Sequence, residues 1–308
     1  MFEIAERGSR GKVGFRTVKS ILPEVVNRID ELYHSDGSIT GVSTGFKQLD
    51  EMTSGLQPGD LIIVAGRPSM GKTTLAVNMA ENAALGSNKS VAIFSMEMSA
   101  ESLTLRMISS LGRINQSNLR SGRLQEEDWP RIDSAMTQLG AANIFVDETP
   151  GLSPTEIRAR ARRLKRERGL DLVVVDYLQL MQVPGNKENR ATEISEISRS
   201  LKALAKELRI PVIALSQLNR GVEQRVDKKP VMSDLRESGS IEQDSDLILL
   251  IFREDFYEPN TTRKGIADII IAKHRNGPTG EVQLTFLGQY TKFENYAPES
   301  YAEGVFRD

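Results

Sequence analysis

Eight consecutive residues, Gly66-Arg67-Pro68-Ser69-Met70-Gly71-Lys72-Thr73, fit the pattern G-x-x-x-x-G-K-[ST] without a mismatch. The spacing has a chemical reason. Glycines let successive backbone N–H groups curl around phosphate oxygens, and a helix starting at the lysine points the positive end of its dipole at them. Lys72 is therefore expected to reach the β- and γ-phosphates of ATP or another nucleoside triphosphate, and the Thr73 hydroxyl to ligate Mg²⁺. Gly66, Ser69, Gly71, Lys72, Thr73 and Thr74 are the expected nucleotide contacts. A second metal partner belongs at the end of another buried strand, and residues 172–176 supply four apolar side chains followed by Asp176. An aspartate there also serves as a turn or cap residue, so its weight comes from coexistence with the phosphate loop.

Hydrolysis needs a group to orient or deprotonate water. Glu97 follows the apolar run 91–95, which the usual strand order puts beside the phosphate-loop strand, at the sheet edge where ligands bind. Its alternative role is that of a solvated residue ahead of a helix capped by Ser99. Gln217, after the run 211–215, reaches the same edge and could sense a phosphate oxygen without adding charge, although a single glutamine carries little weight alone.

These side chains need a scaffold, and the sequence describes one. From Gly59 onward, apolar runs at 61–65, 91–95, 143–146, 172–176, 211–215 and 246–252 alternate with helical stretches such as 99–111 and 193–208. Most of the runs are continuously apolar, as strands buried on both faces require, so the pattern predicts an α/β fold with a mostly parallel central sheet flanked by helices. Residues 267–272 and 281–286, joined by a Gly/Pro turn, predict a closing antiparallel hairpin. Ahead of this core, Val18, Leu22, Val25, Ile29 and Leu32 fall at helical spacing, with Pro23 placing the helix start near itself. Residues 35–45 read as a Gly/Ser/Thr linker. The expected organisation is a linker region, 1–39, carrying an amphipathic docking helix, and an ATPase domain, 40–308. Such a helix cannot bury its own apolar stripe and must dock on its own domain or on another subunit.

Composition narrows the classes. The 308 residues include no cysteine and only two histidines, His34 and His274, which leaves almost no material for a Cys/His zinc site or a disulfide framework. Any metal should be oxygen-bound. With no run of about eighteen apolar residues and no apolar signal core, a cytoplasmic protein without membrane contact is expected. A net charge of −2 argues against a broad basic surface that grips duplex DNA, so nucleic-acid contact would have to be concentrated.

Taken together, the segments 66–74 (GRPSMGKTT), 94–99 (FSMEMS), 172–180 (LVVVDYLQL), 213–220 (IALSQLNR), 233–244 (SDLRESGSIEQD) and 273–277 (KHRNG) resemble the RecA-like motor domain of bacterial replicative DNA helicases of the DnaB type, from about residue 40 to about 293. The resemblance implies an ATP-hydrolysing motor that moves 5′ to 3′ on single-stranded DNA and unwinds duplex. Glu97 matches the carboxylate that activates water, Asp176 the metal-holding aspartate, and Gln217 the residue that couples the γ-phosphate to the DNA-binding loops. Arg236, Glu237 and Gly239 match the central-channel loop that follows the DNA backbone. Lys273 and Arg275 match the pair offered in trans to a neighbour's γ-phosphate, Arg275 as the arginine finger; the residues alone equally describe a basic surface turn.

The resemblance further implies a homo-oligomer, a hexameric ring in the full-length protein, with primase and a helicase loader as partners, and a linker helix docked on the adjacent subunit. Family members carry a further N-terminal helical domain, so this chain, starting almost at the linker, is expected to be part of a longer protein. His274 stands where glutamine is the commoner residue; contact with phosphate would make activity pH-dependent. The helix opened by Ser153-Pro154-Thr155-Glu156 carries seven basic residues between Arg158 and Arg168, pointing around much of its circumference, and a solvated face is the first expectation for it. A RecA-like recombinase or regulatory ATPase remains the alternative, with the same ATP chemistry in a filament. A small-molecule kinase would need an acceptor pocket and a mobile lid, for which no segment is set aside.

Overall fold

The structure is a computed structural model that describes residues 15, 17–34, 39–183, 189–235 and 239–297. The chain divides into two units, Met1–Thr40 and Gly41–Asp308. The first contains helix α1 (Val18–His34) with Pro23 inside it. The expected start near the proline is displaced by five residues because Thr17 caps an earlier turn: its hydroxyl accepts from the Ser20 amide at 3.3 Å and its carbonyl accepts from the Ser20 hydroxyl at 2.8 Å. Val18, Leu22, Val25, Val26 and Ile29 are all exposed.

In the second unit, α2 (Lys47–Thr53) precedes β1 (Leu61–Gly66), the phosphate loop and α3 (Lys72–Glu81). There follow β2 (Val91–Ser95), α4 (Ala100–Gly112), α5 (Gln116–Ser121), α6 (Asp128–Ala141), β3 (Ile144–Asp147), α7 (Pro154–Arg168) and β4 (Leu172–Asp176). Then come α8 (Arg190–Leu208), β5 (Val212–Gln217), α9 (Gly239–Asp244), β6 (Leu247–Phe252), α10 (Glu254–Tyr257), β7 (Ile266–His274), β8 (Gly280–Leu287) and β9 (Lys292–Asn295). They form a nine-stranded sheet in the order β3-β2-β4-β5-β1-β6-β7-β8-β9. The first six strands are parallel, and β7, β8 and β9 continue antiparallel as the expected hairpin plus one more strand.

The continuous apolar runs follow from burial on both faces. Alternate residues of each strand serve opposite layers: Ile62, Val64, Ile93, Val174 and Ile213 pack with Leu75 and Met79 of α3 on one face. On the other, Leu61, Ile63, Val173, Val175 and Val212 pack with Ile197, Leu201 and Leu204 of α8. Capping residues fix the helix starts. Ser99 accepts from the Ser102 amide and begins α4 one residue later than expected. Asn189 accepts from the Ala191 amide at 3.1 Å and starts α8 at Arg190, three residues ahead of the predicted Glu193.

Candidate active site

The strand order corrects one expectation. β2 is not beside the phosphate-loop strand: β4 and β5 lie between them. Glu97 nonetheless reaches the site, for a local reason. Ser95 stands in register with Asp176, and the Met96 amide donates to the Asp176 carbonyl at 2.9 Å, extending the pairing past the strand ends. The Ser95 hydroxyl then donates to the Met98 carbonyl at 2.7 Å and accepts from the Met98 amide at 3.2 Å, closing the turn that holds Glu97 out at the edge, exposed to solvent.

A cleft of about 450 Å³ opens at this edge, lined by Pro68, Ser69 and residues 71–74 of the phosphate loop and the helix it starts, by Glu97, Met98, Arg106, Tyr177 and Gln217, and by Phe286 and Thr291 from far along the chain. Thr73 and Asp176, the two expected metal partners, meet directly: the Thr73 hydroxyl donates to Asp176 Oδ2 at 2.8 Å. Burial pushes the Asp176 carboxyl up to about 6, Glu97 adds to the rise, and the Thr73 hydrogen bond, Lys72 and Arg106 oppose it. Lys72 is lowered from its ordinary value by burial, against the pull of Asp176 and Glu97, and its ammonium donates to the Arg67 carbonyl at 3.3 Å. Gln217 closes β5, its backbone amide donating to Gln179 Oε1 at 3.4 Å. Among the described residues no group of three or more His, Cys, Asp or Glu side chains is placed to hold a metal ion.

The loop takes its shape from two left-handed residues, Ser69 at φ 66° and Gly71 at φ 97°. A Cβ on Gly71 would meet Phe293 Cζ at 2.9 Å, so the aromatic wall from β8 and β9 sits directly on the loop. Two arginines brace it. Arg67, buried, bonds the chain after β5, and Arg253, at the end of β6, donates to the Ser69 carbonyl at 3.3 Å while its guanidinium lies 4.0 Å from the Phe286 ring centroid.

Lys273 and Arg275 lie elsewhere. Antiparallel pairing puts the end of β7 opposite Leu247, the start of β6, and therefore at the sheet edge away from the phosphate loop. The Lys273 ammonium donates to the carbonyls of Glu242 and Ser245 at 2.5 and 2.6 Å. Arg275 pairs with buried Asp246 at 3.0 Å and donates to the Gln243 carbonyl at 3.4 Å, leaving its side chain half exposed. His274 folds back on its own turn, its Nδ1 3.3 Å from the Pro278 carbonyl oxygen. Of the expected channel-loop residues, Gly239 begins α9, whereas Arg236 and Glu237 lie outside the described residues.

Sequence reasoning missed Arg106, whose Nε is buried in the cleft wall without a partner. Burial lowers its guanidinium from the usual range, against Asp176 and Glu97. A single arginine in an amphipathic helix gives no signal of such a position. The basic helix α7 turns out to be largely paired at home: Glu207 takes both Arg158 and Arg162, Asp147 takes Arg160 at 2.6 Å, and Glu167 takes Arg163 at 3.0 Å.

Comparison with known proteins follows the same lines. The family described as DnaB-like helicase C terminal domain matches residues 41–295. The chain is 54% identical over 296 residues to the replicative DNA helicase DnaB of Geobacillus stearothermophilus and 55% identical over 304 residues to that of Pasteurella multocida, covering 96% and 97% of this chain. It spans 65% of the length of each relative. Among solved structures, one ATPase domain superimposes with a TM-score of 0.86 at 40% identity over 90% of this chain and 99% of that one. A DnaB-like replicative helicase, studied with its interactions with primase, gives 0.84 at 39% over 96% and 71%. The RadB recombinase, at 22% identity and a TM-score of 0.52 over 83% of this chain and all of that one, shares the fold alone. A RecA-like sheet, an intact phosphate loop and a profile match across nearly the whole second unit make this chain a member of the DnaB-like helicase C-terminal domain family.

Proposed function

We propose that the chain is the ATP-hydrolysing motor of a ring-shaped replicative DNA helicase, translocating 5′ to 3′ along single-stranded DNA. The observation that carries the reading is the division of the chemistry between two sheet edges. Lys72, Thr73, Glu97, Asp176 and Gln217 converge on one cleft, and Lys273 and Arg275 stand at the opposite edge, away from it, a position that supports a role at another copy's nucleotide. A contact between unlike edges is heterologous, and such contacts close into rings when the rotation allows, here a hexamer.

In this reading Gly66, Ser69, Gly71, Lys72, Thr73 and Thr74 cradle the ATP phosphates. Thr73 and Asp176 would hold Mg²⁺, and two hard oxygens fit a cation that keeps most of its waters and takes the rest of its ligands from phosphate. When bound, that ion offsets charge on the β- and γ-phosphate oxygens. Glu97, exposed and carboxylate-bearing, accepts the proton of the attacking water. Lys72 and the neighbouring copy's Arg275, assisted by its Lys273, neutralise charge that builds up on the transferred phosphoryl group. Gln217 senses that group, and Arg236, Glu237 and Gly239 follow the DNA backbone without reading bases, so affinity falls steeply with salt.

The exposed apolar residues of α1 support docking of the 1–39 region on an adjacent subunit. Primase is a proposed partner through the DnaB-like helicase studied with it, and a loader through the family. A cytoplasmic site of action is part of the same reading; among the described residues no helix is long and apolar enough to cross a membrane.

The test is steady-state ATP turnover with and without single-stranded DNA. Arg236→Ala should lose the stimulation by DNA, and Arg275→Ala should lose basal turnover. If DNA leaves turnover unchanged and both variants are silent in a protein confirmed to be oligomeric, the motor reading falls and a nucleotide-binding fold remains.

A further inference from the structure

Arg67 is the charged residue of the phosphate loop that the proposed chemistry leaves unused, yet it is among the most buried cations of the described residues, at 7% exposure. An arginine at that depth needs its donors satisfied, and each of its partners belongs to one stretch of chain. Its Nη1 donates to the Leu218 carbonyl at 2.8 Å and its Nε to Glu223 Oε1 at 2.8 Å. The Leu218 amide in turn donates to the Gly66 carbonyl at 3.3 Å, so the first two residues of the loop clasp the residue that follows Gln217.

That stretch, residues 218–235, is braced as one body. The Asn219 amide donates to the Asp234 carbonyl at 2.9 Å and ties its two ends together. Arg225 grips the Asp234 carboxylate with two bonds, at 2.9 and 2.7 Å, and Val222 and Leu235 are buried beneath it. On the other side of the clasp, the carbonyl of Arg67 is the acceptor that occupies the Lys72 ammonium. A phosphate that draws Lys72 to itself takes that bond away, and the change falls on the residue whose side chain holds 218 and 223.

We infer that Arg67 is a positioning residue which, through Glu223 and Leu218, makes the body 218–235 follow the phosphate loop, giving the nucleotide an ionic hold on the chain leading to residue 236 that is separate from Gln217. The inference deepens the proposed function and rests on it for what the motion serves. The hold itself concerns this chain and a nucleotide only.

The experiment uses Glu223→Gln and Glu223→Asp in the whole chain, since Glu223 touches no part of the cleft. Amide hydrogen exchange is followed across 218–235 with and without a slowly hydrolysed ATP analogue and Mg²⁺, and ATP turnover is measured with and without single-stranded DNA. In the unmodified chain the analogue should change protection across 218–235. Glu223→Gln should lose that change, keep its basal turnover, and lose stimulation by DNA about fivefold or more, the lower end of ordinary coupling between sites. Glu223→Asp should restore part of both. Protection of 218–235 that is indifferent to nucleotide, or identical in Glu223→Gln, overturns the inference, as does an equal fall in basal and stimulated turnover, which marks a merely structural role. Nucleotide-dependent protection without any stimulation by DNA in the unmodified chain sinks the motor reading and leaves the hold standing.

Discussion

The two edges of the sheet handle their charged groups differently. At the phosphate-loop edge the groups converge on one cleft: Thr73 bonds Asp176, Lys72 bonds the loop's own backbone, and the turn after Ser95 holds Glu97 at the same edge. At the opposite edge Lys273 rests on backbone carbonyls at the end of α9, and Arg275 pairs with buried Asp246 while keeping about half of its side chain open to solvent. In the proposed function the first edge binds the nucleotide and the second offers its cations to the nucleotide of another copy. A chain that carries both should be a poor catalyst alone.

The largest expected effect probes that division. Arg275→Ala should lower ATP turnover about 10³-fold or more, with fluorescent-nucleotide binding unchanged, because the residue stands away from its own cleft. Lys72→Ala should lower turnover by about 10² to 10³ and weaken nucleotide binding as well. Mixed in equal amounts, the two inactive variants should recover activity at about one interface in four, where an intact loop meets an intact finger. A mixture as dead as its parts would break the comparison.

Stability effects come next. Glu81, the last residue of α3, is almost wholly buried; burial pushes its carboxyl up to about 8, while bonds from Ser110 and Asn78 and the charge of Lys292 oppose the rise. Folded, Glu81 keeps its proton to about pH 8, and unfolded it releases it near 4.5. The unfolded state therefore binds fewer protons across that interval, and stability falls as pH rises through it, by something on the order of a few kcal/mol. Urea denaturation of Glu81→Gln from pH 5 to 9 should show this slope flattened. Gly71→Ala meets both a left-handed backbone and Phe293, and should cost about 1 to 3 kcal/mol in the same assay. Smallest of all, Arg163→Ala on α7 removes an exposed pair with Glu167 and should change stability by about 0.5 kcal/mol or less and DNA binding not at all.

Much of the scaffold was legible because the strands are buried on both faces and so appear as unbroken apolar runs, and because the phosphate loop has a spacing that few other structures need. Strand order was not legible. Periodicity reports which face a residue serves and nothing about which strand lies alongside, so Glu97 was placed next to β1 when β4 and β5 intervene. Pro23 marks a helix start near itself, whereas the cap at Thr17, which the apolar spacing does not signal, sets the start of α1 at Val18. α5 and α6 passed unread: one spans only six residues, and the other carries Pro130, Gly140 and the exposed Trp129 and Met136 in place of a clean apolar stripe. The basic helix α7 kept its ambiguity until the partners could be seen, since Glu207 lies some forty residues further along the chain.

The contact of Phe293 with Gly71 joins parts of the chain that are made far apart in time during synthesis. The phosphate loop, at residues 66–73, is made some 150 residues before Gln217 and more than 200 before the wall of Phe286, Thr291 and Phe293. The Phe293 amide is fastened to Asn78 of the helix that the loop begins, at 2.7 Å. A growing chain thus exposes the phosphate loop long before β8 and β9, the strands that pack against it, have been made.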